Sequence, residues 1–492
     1  MNRALIRLSL ACLAMFVLLL LNVNYVQAFQ ASSLAGKPGN IRVFDQQFQY
    51  QRGSIVAGGG LKIAVSRQVK GTSTYQRYYP FGAEYAPVTG YASIYGATGI
   101  ESAENKELSG TDPRLTVHNF IDLLTGKPKL GATVYLTVNP KAQQAAYQAL
   151  KAQVRADHGL PAAAVAIDPS TGAILAMASY PTFNPNAYTT LDGAKLDRID
   201  AANRRNPAQP LLNRAINETF PPGSTFKIVT SAAAFSAGKV ADQNSTVPAP
   251  TDLKLPDSNR VLINDDNEVC GDGHPPIITA FTLSCNTAFG ALGMKLTSPV
   301  LRDYANRFGL NRKLSVPLDV TPSVFPRTDS AALTAYSAIG QFDDQVTPLQ
   351  EAMFAATVAN NGTLMTPYLV QQVQAPDLSQ IQAASPSVFS QPVSTQVAGY
   401  LKQMMTSVTS DPSGTAYATA NPQVAGVQIA GKTGTAQNGV NNTGLNDAVF
   451  TCFAPADSPK IAVGVIVKGG GFGADAAAPI AVKIIQAYLG VR

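Results

Sequence analysis

The chain has 492 residues, room for about three domains at roughly 150 residues each. At 46% hydrophobic and only 14% charged it is too apolar for intrinsic disorder, and its 39 glycines and 33 prolines show no collagenous period. Four cysteines are too few for a disulfide scaffold, and a net charge of +6 without a basic stripe leaves no footprint for nucleic acid.

Arg3 and Arg7 precede an apolar run, Leu8–Leu21, broken only by Ser9. Two readings stay open. The run is short for a span, and Val26-Gln27-Ala28 has the small-residue spacing of a signal-peptidase site. Extended to Val26 it reaches about 20 residues, enough to cross a bilayer. Either way the positive flank holds the N-terminus in the cytoplasm and sends the chain after about residue 28 across the membrane. No later run reaches spanning length, which excludes a polytopic transporter.

From Phe29 to Gly131 short β-prone pieces such as Gly60–Val65 predict a small, irregular β-containing domain. Val134–Val138 reads as a strand. Asn139 then caps a helix with Pro140 at its first position and an apolar face of Ala145, Ala146, Leu150 and Val154, running through Asp157. Ala162–Asp168 and Ala173–Tyr180 flank Pro169-Ser170-Thr171-Gly172, the pattern of a buried hairpin. Leu191 to Thr409 reads as mostly helical pieces broken by Pro and Gly loops. Val427–Lys432, Ala448–Phe453 and Ile461–Lys468 read as strands, and Ala476–Leu489 as an amphipathic helix. Strands at both ends of a helical middle predict one α/β domain whose terminal strands share a sheet.

Cys12 lies in the apolar run. Cys270 and Cys285 bound a loop of about 15 residues, whose closure by a disulfide contributes roughly 3 kcal/mol. That pairing is preferred to three buried free thiols at Cys270, Cys285 and Cys452. There is no Cys-x-x-Cys, and His118, His158 and His274 are far apart, so neither a metal site nor a cofactor is expected.

Three short motifs carry chemistry. In Pro222-Gly223-Ser224-Thr225-Phe226-Lys227, Ser224 opens a helix and Lys227 follows one turn later on the same face. A serine is a poor nucleophile until a base takes its proton, and a lysine serves if burial or a second cation lowers its pKa. Ser284-Cys285-Asn286 and Lys432-Thr433-Gly434-Thr435 follow. Each is commonplace alone, a turn or a solvated strand end, but their order and spacing match a serine-lysine acyltransferase signature. Gly426–Thr433 also fits a phosphate-loop pattern letter for letter. That loop needs a strand before its first glycine and a helix after its Lys-Thr, and neither is expected here.

With these motifs the chain resembles the class B penicillin-binding proteins, especially the actinobacterial penicillin-binding protein A group. Arg52-Gly53-Ser54-Ile55, Asp168-Pro169 and Asn213-Arg214-Ala215 add to the likeness. Gly340-Gln341 resembles the family's Gly-Gln-Gly segment, but Phe342 replaces the second glycine and no role is assigned there. The resemblance implies an α/β serine-lysine transpeptidase domain of β-lactamase-like fold, a sheet flanked by helices plus an all-α subdomain. It places a membrane anchor at 1–28, a pedestal or dimerisation-like domain at 29–135 and the penicillin-binding domain at 136–492. It also favours an uncleaved single-pass anchor, with the catalytic domain outside the cytoplasmic membrane.

Carried over, Ser224 attacks the penultimate D-alanine carbonyl of a peptidoglycan stem peptide and Lys227 takes its proton. Ser284 and Lys432 relay a proton to the departing D-alanine. Asn286 holds the peptide, and Thr433, Gly434 and Thr435 form the seat of its terminal carboxylate. The backbone N–H groups of Ser224 and Thr435 form the oxyanion hole. A neighbouring stem peptide's amine then resolves the acyl-enzyme. β-Lactams are expected as inhibitors, because a related hydrolase needs a glutamate between the second and third motifs to activate water. The sole glutamate between them is Glu351, in a helix-like stretch. A membrane glycosyltransferase and division or elongation proteins are the expected partners. A D,D-carboxypeptidase and a β-lactam sensor are the alternatives.

Overall fold

The apolar N-terminal run forms helix α1, Arg3–Tyr25, of 23 residues, continued by a wider turn at Val26–Gln30. At about 1.5 Å per residue it is long enough to cross a hydrocarbon core of about 30 Å. Its leucines are exposed along its length. The computed structural model describes residues 3–30, 48, 50–115, 130–156, 160–265, 269–437 and 444–491. Asp157, His118 and His158, and most of Phe29–Gln49, lie outside them.

The first sheet starts with β1 (Ile55–Ala57), β2 (Leu61–Gln68) and β3 (Tyr75–Tyr78), and takes β4 (Thr133–Leu136) alongside β1 in parallel. Glu101 lies fully buried beneath it, with Arg52 Nε and Arg77 Nε each 2.5 Å from one of its oxygens. Burial alone would raise the carboxyl's pKa, but the two guanidiniums outweigh burial and hold it below its ordinary value.

Asn139 caps α2 (Pro140–Ala156), its Oδ1 accepting the N–H groups of Lys141 at 3.0 Å and Ala142 at 3.1 Å. Strands β5 (Ala162–Ile167) and β6 (Ile174–Tyr180) form the expected hairpin. The helices that matter for the site are α3 (Lys227–Ser236), α4 (Asn286–Leu296) and α5 (Pro348–Ala359). A hairpin then follows, β7 (Val370–Gln374) and β8 (Gln380–Ala383), and after it α6 (Thr395–Ser410). The chain closes with β9 (Ala430–Ala436), β10 (Asp447–Ala454), β11 (Ile461–Val467) and α7 (Ala478–Leu489).

The terminal strands do share one antiparallel sheet, in the order β9-β10-β11-β5-β6. Period-two alternation explains its two dry faces. Ala162, Ala164 and Ala166 pack with Ala142, Ala146 and Leu150 of α2, whereas Ala163, Val165 and Ile167 pack with Leu349 and Met353 of α5 and with the first sheet's core.

The mostly helical middle also carries strands, since β7 pairs antiparallel with β4 and extends the first sheet to β8-β7-β4-β1-β2-β3. The glutamine-rich sequence of β7 and β8 carries little strand signal, and pairing with β4 decides their conformation. The strand expected at Val427–Lys432 begins only at Ala430, because Gly426, at φ 68°, ends a short helix, Pro422–Ala425. Lys432-Thr433-Gly434-Thr435 therefore lies inside a strand, and no helix follows the Lys-Thr pair as a phosphate loop requires.

Gly464 of β11 lies against α5, where a Cβ would stand 2.4 Å from Ala352 N and 2.5 Å from Pro348 O. Gly464→Ala forces the helix off the sheet and is expected to cost about 1–3 kcal/mol, read as a lower melting temperature. An unchanged melting temperature contradicts this packing.

Candidate active site

Gly223–Phe226 is a single tight helical turn that runs directly into α3. Its position is set by backbone contact. Gly223 N–H donates to Gly340 O at 2.9 Å, and a Cβ on Gly340 would lie 2.0 Å from Gly223 O. Both residues hold positive φ, 56° and 73°, so glycine is required twice over. Phe226 anchors the turn below, stacked on Phe325 at 5.3 Å. Ser224 is left half-buried at the cleft floor, and Lys227 one turn later is fully buried.

The second motif is the exit of a short helix, Ile277–Thr282. Ser284 turns the chain at φ 62°, and Cys285 N–H bonds back to Ala280 O at 2.8 Å. Helices usually place glycine at such a turn, and a serine there costs on the order of 1–3 kcal/mol. Cys285 is tied to Cys270 by a disulfide with Cα atoms 5.9 Å apart, as the cysteine count suggested. Asn286 then opens α4, whose Thr287 N–H is capped at 3.0 Å by Asn264 from a separate loop.

These elements converge on one hydroxyl. Lys227 Nζ donates to Ser284 O at 2.7 Å and Asn286 Oδ1 at 2.7 Å, and lies 3.3 Å from Ser284 Oγ. From β9, Lys432 Nζ reaches the same Oγ at 2.9 Å. Both lysines are fully buried, so both amines are pushed toward neutrality. Burial, then the nearby Lys432 charge, hold Lys227 well below the ordinary lysine value, and Asp265 opposes them. Burial lowers Lys432 to about 7, again opposed by Asp265. A neutral amine accepts a proton, so a hydroxyl between two such amines can pass one from side to side.

Thr433 Oγ1 is 2.6 Å from Thr415 Oγ1, and Gln341 Nε2 donates to Thr435 O at 3.5 Å. A cleft of about 390 Å³ joins Ser224, Ser284, Thr433 and Thr435. The structure thus brings Ser224, Lys227, Ser284, Asn286, Lys432, Thr433 and Thr435 together, with Gly434 between the threonines in β9.

Sequence reasoning missed Asp265 and Thr415. Asp265 accepts from Asn286 Nδ2 at 3.2 Å and opens an acidic stretch that composition shows but motif spacing does not flag. Thr415 arrives through the fold alone. Phe342 holds φ 72°, a conformation that favours the glycine it replaces. Glu351 lies fully buried on α5 and its side chain meets Thr225, behind the Ser224 turn.

The chain is similar to known proteins over most of its length. Residues 162–486 match the family described as penicillin binding protein transpeptidase domain, and residues 52–134 the penicillin binding protein A dimerisation domain. The chain is 42% identical to peptidoglycan D,D-transpeptidase PbpA of Mycolicibacterium smegmatis, covering 99% of each. It is 41% identical to the same-named protein of Mycobacterium tuberculosis, again over 99% of each. Penicillin-binding protein A from M. tuberculosis, solved as a ceftriaxone acyl-enzyme complex, superposes with a TM-score of 0.85 at 38% identity, over 90% of this chain and 99% of that one. Its penicillin G acyl-enzyme complex gives 0.83 at 39% identity, over 89% and 100%. The chain belongs to the class B penicillin-binding proteins, serine D,D-transpeptidases.

Proposed function

We propose that the chain cross-links peptidoglycan stem peptides outside the cytoplasmic membrane, with Ser224 as the residue that becomes acylated. The observation that carries this reading is the Ser284 hydroxyl held between two buried amines beside Ser224. Neutral Lys227 takes the Ser224 proton as Oγ attacks the penultimate D-alanine carbonyl. The new C–O bond pushes charge onto the carbonyl oxygen, toward the N–H groups of Ser224 and Thr435. The proton passes through Ser284 and Lys432 to the amide nitrogen, the C–N bond breaks, and D-alanine leaves. The amine of a second stem peptide then attacks the ester and returns Ser224 to its alcohol.

In this reading Asn286 holds the peptide through Nδ2, because its Oδ1 is engaged by Lys227. Thr433, Gly434 and Thr435 receive the terminal carboxylate, with Thr415 fixing the Thr433 hydroxyl. β-Lactams follow the same first step. Their acyl-enzyme persists because Glu351 is sealed behind the turn and cannot activate water in the cleft.

The chain divides into an anchor at 1–28, a pedestal or dimerisation-like domain at 29–135 and a catalytic domain at 136–492. The one long apolar helix among the described residues supports the anchor, and the arginines flanking its apolar run support a cytoplasmic N-terminus. A separate membrane glycosyltransferase and division or elongation proteins are the partners in this reading.

Labelled penicillin is expected to form a stable adduct with the wild type and none with Ser224→Ala. Intact mass followed over time reads both, and labelling of Ser224→Ala contradicts the assignment. Rapid loss of the adduct points to a hydrolase instead. The acylation rate is expected to rise with pH as the coupled amines lose their proton, with a midpoint near the value of about 7 at Lys432 and far below that of an ordinary lysine. A rate that rises only near about pH 10, the value of a solvated lysine, refutes a neutral base.

A further inference from the structure

Glu351 is a buried acid that the reaction scheme leaves unused, and among the described residues its side-chain hydrogen bond goes to the residue after Ser224. Thr225 Oγ1 lies 2.9 Å from Pro222 O and 2.8 Å from Glu351 Oε1. A hydroxyl carries one hydrogen, and a carbonyl oxygen has none to give. Two acceptors at hydrogen-bond distance from a single O–H leave one lone-pair contact without a proton, unless the carboxyl supplies it. If Glu351 donates to Thr225 and Thr225 donates to Pro222 O, both distances are satisfied.

We propose that Glu351 is a positioning residue for the nucleophile, donating as the neutral acid to Thr225, which in turn holds the Pro222 carbonyl and so the turn that presents Ser224. This rests on Ser224 being the acylated residue. The surroundings favour the neutral form. Glu351 Oε2 is buried with no hydrogen-bond partner among the described residues, a far larger cost for a carboxylate than for an acid. Burial raises the carboxyl's pKa to about 8, even against the lowering effect of the Thr225 bond.

The site is also held mechanically. Glu351 O accepts from Thr451 Oγ1 of β10 at 2.5 Å, and the Glu351 Cβ would stand 2.7 Å from a Cβ at Gly464. Pro222 O in turn lies 2.7 Å from where a Cβ on Gly434 would stand. The chain of contacts thus runs from α5 through Thr225 to the interface of the serine turn with β9, where the Thr435 N–H is carried. On the elements packed against α5 the ionisable groups are Arg214, which pairs with Glu218, Asp447 and Cys452 of β10, the former accepting from Gly469 N–H, and Tyr400 and Lys402 of α6. None of these enters the Glu351 shift. Ionised, Glu351 draws the Thr225 hydrogen to itself and Pro222 O loses its hydroxyl donor.

The test compares Glu351→Gln, Glu351→Leu and Thr225→Val in the full chain, by rate of acylation with a fluorescent penicillin across pH. Glutamine donates as the acid does, so Glu351→Gln is expected to acylate near the wild-type rate at neutral pH and to lack the wild-type loss of rate above about pH 8. Glu351→Leu and Thr225→Val are each expected to be about tenfold slower, the equivalent of one hydrogen bond in the barrier, with the initial binding constant unchanged. Melting temperatures separate this from unfolding, and Thr225→Val leaves α5 untouched. Wild-type rates in both Leu and Val variants overturn the proposal. So does a Gln variant as slow as Leu, because the ionised form would then be the one required. Loss of all labelling in Ser224→Ala tests the underlying assignment separately.

Discussion

Two fully buried lysine amines share one serine hydroxyl at the wall of the cleft, and the rest of the molecule is arranged around that constraint. A single ammonium taken out of water costs several kcal/mol even after relaxation, and a second beside it adds Coulomb repulsion to the same penalty. Lys227 and Lys432 therefore cannot both stay charged. Asp265 at the cleft's edge, with Asn286 and the Ser284 carbonyl, stabilises one charge, not two. In the proposed reaction the consequence is a base that exists at neutral pH beside Ser224.

Holding that arrangement falls to backbone, more than to side chains. Ser224 rides on a turn pressed between Gly340 and β9, Ser284 on the strained exit of a short helix, and Lys432 on an edge strand of the central sheet. Among the described residues β9 pairs with β10 alone, and its other side meets the serine turn and Gln341, whose Nε2 donates to Thr435 O. The disulfide at Cys285 and the cap from Asn264 fix the second motif from a separate loop, so that a strained serine can keep its aim.

Much of this was legible in the sequence, because the chemistry sits in short segments with strong local grammar. The hairpin at 162–180, the Asn139-Pro140 helix start and the order of the three motifs all depend on neighbours in the chain. What escaped depends on partners far away. β7 and β8 are strands because β4 accepts them, and β9 runs past Lys432 to Ala436 because β10 pairs along its whole length in spite of two glycines. Asp265 and Thr415 reach the cleft only through tertiary packing. Nor does any pattern show that Phe342 holds a conformation suited to glycine, or that Glu351 is roofed by Gly464 and turned toward Thr225.

The central claim is that these two amines share their charge below the ordinary lysine range, and side-chain titration tests it most directly. In Ser224→Ala protein labelled at lysine Cε, two resonances, assigned by Lys227→Arg and Lys432→Arg, are expected to titrate well below the bulk of the lysines, with the Lys432 transition near 7. If both titrate with the solvated lysines near about 10.4, the site holds two full charges and the account is wrong.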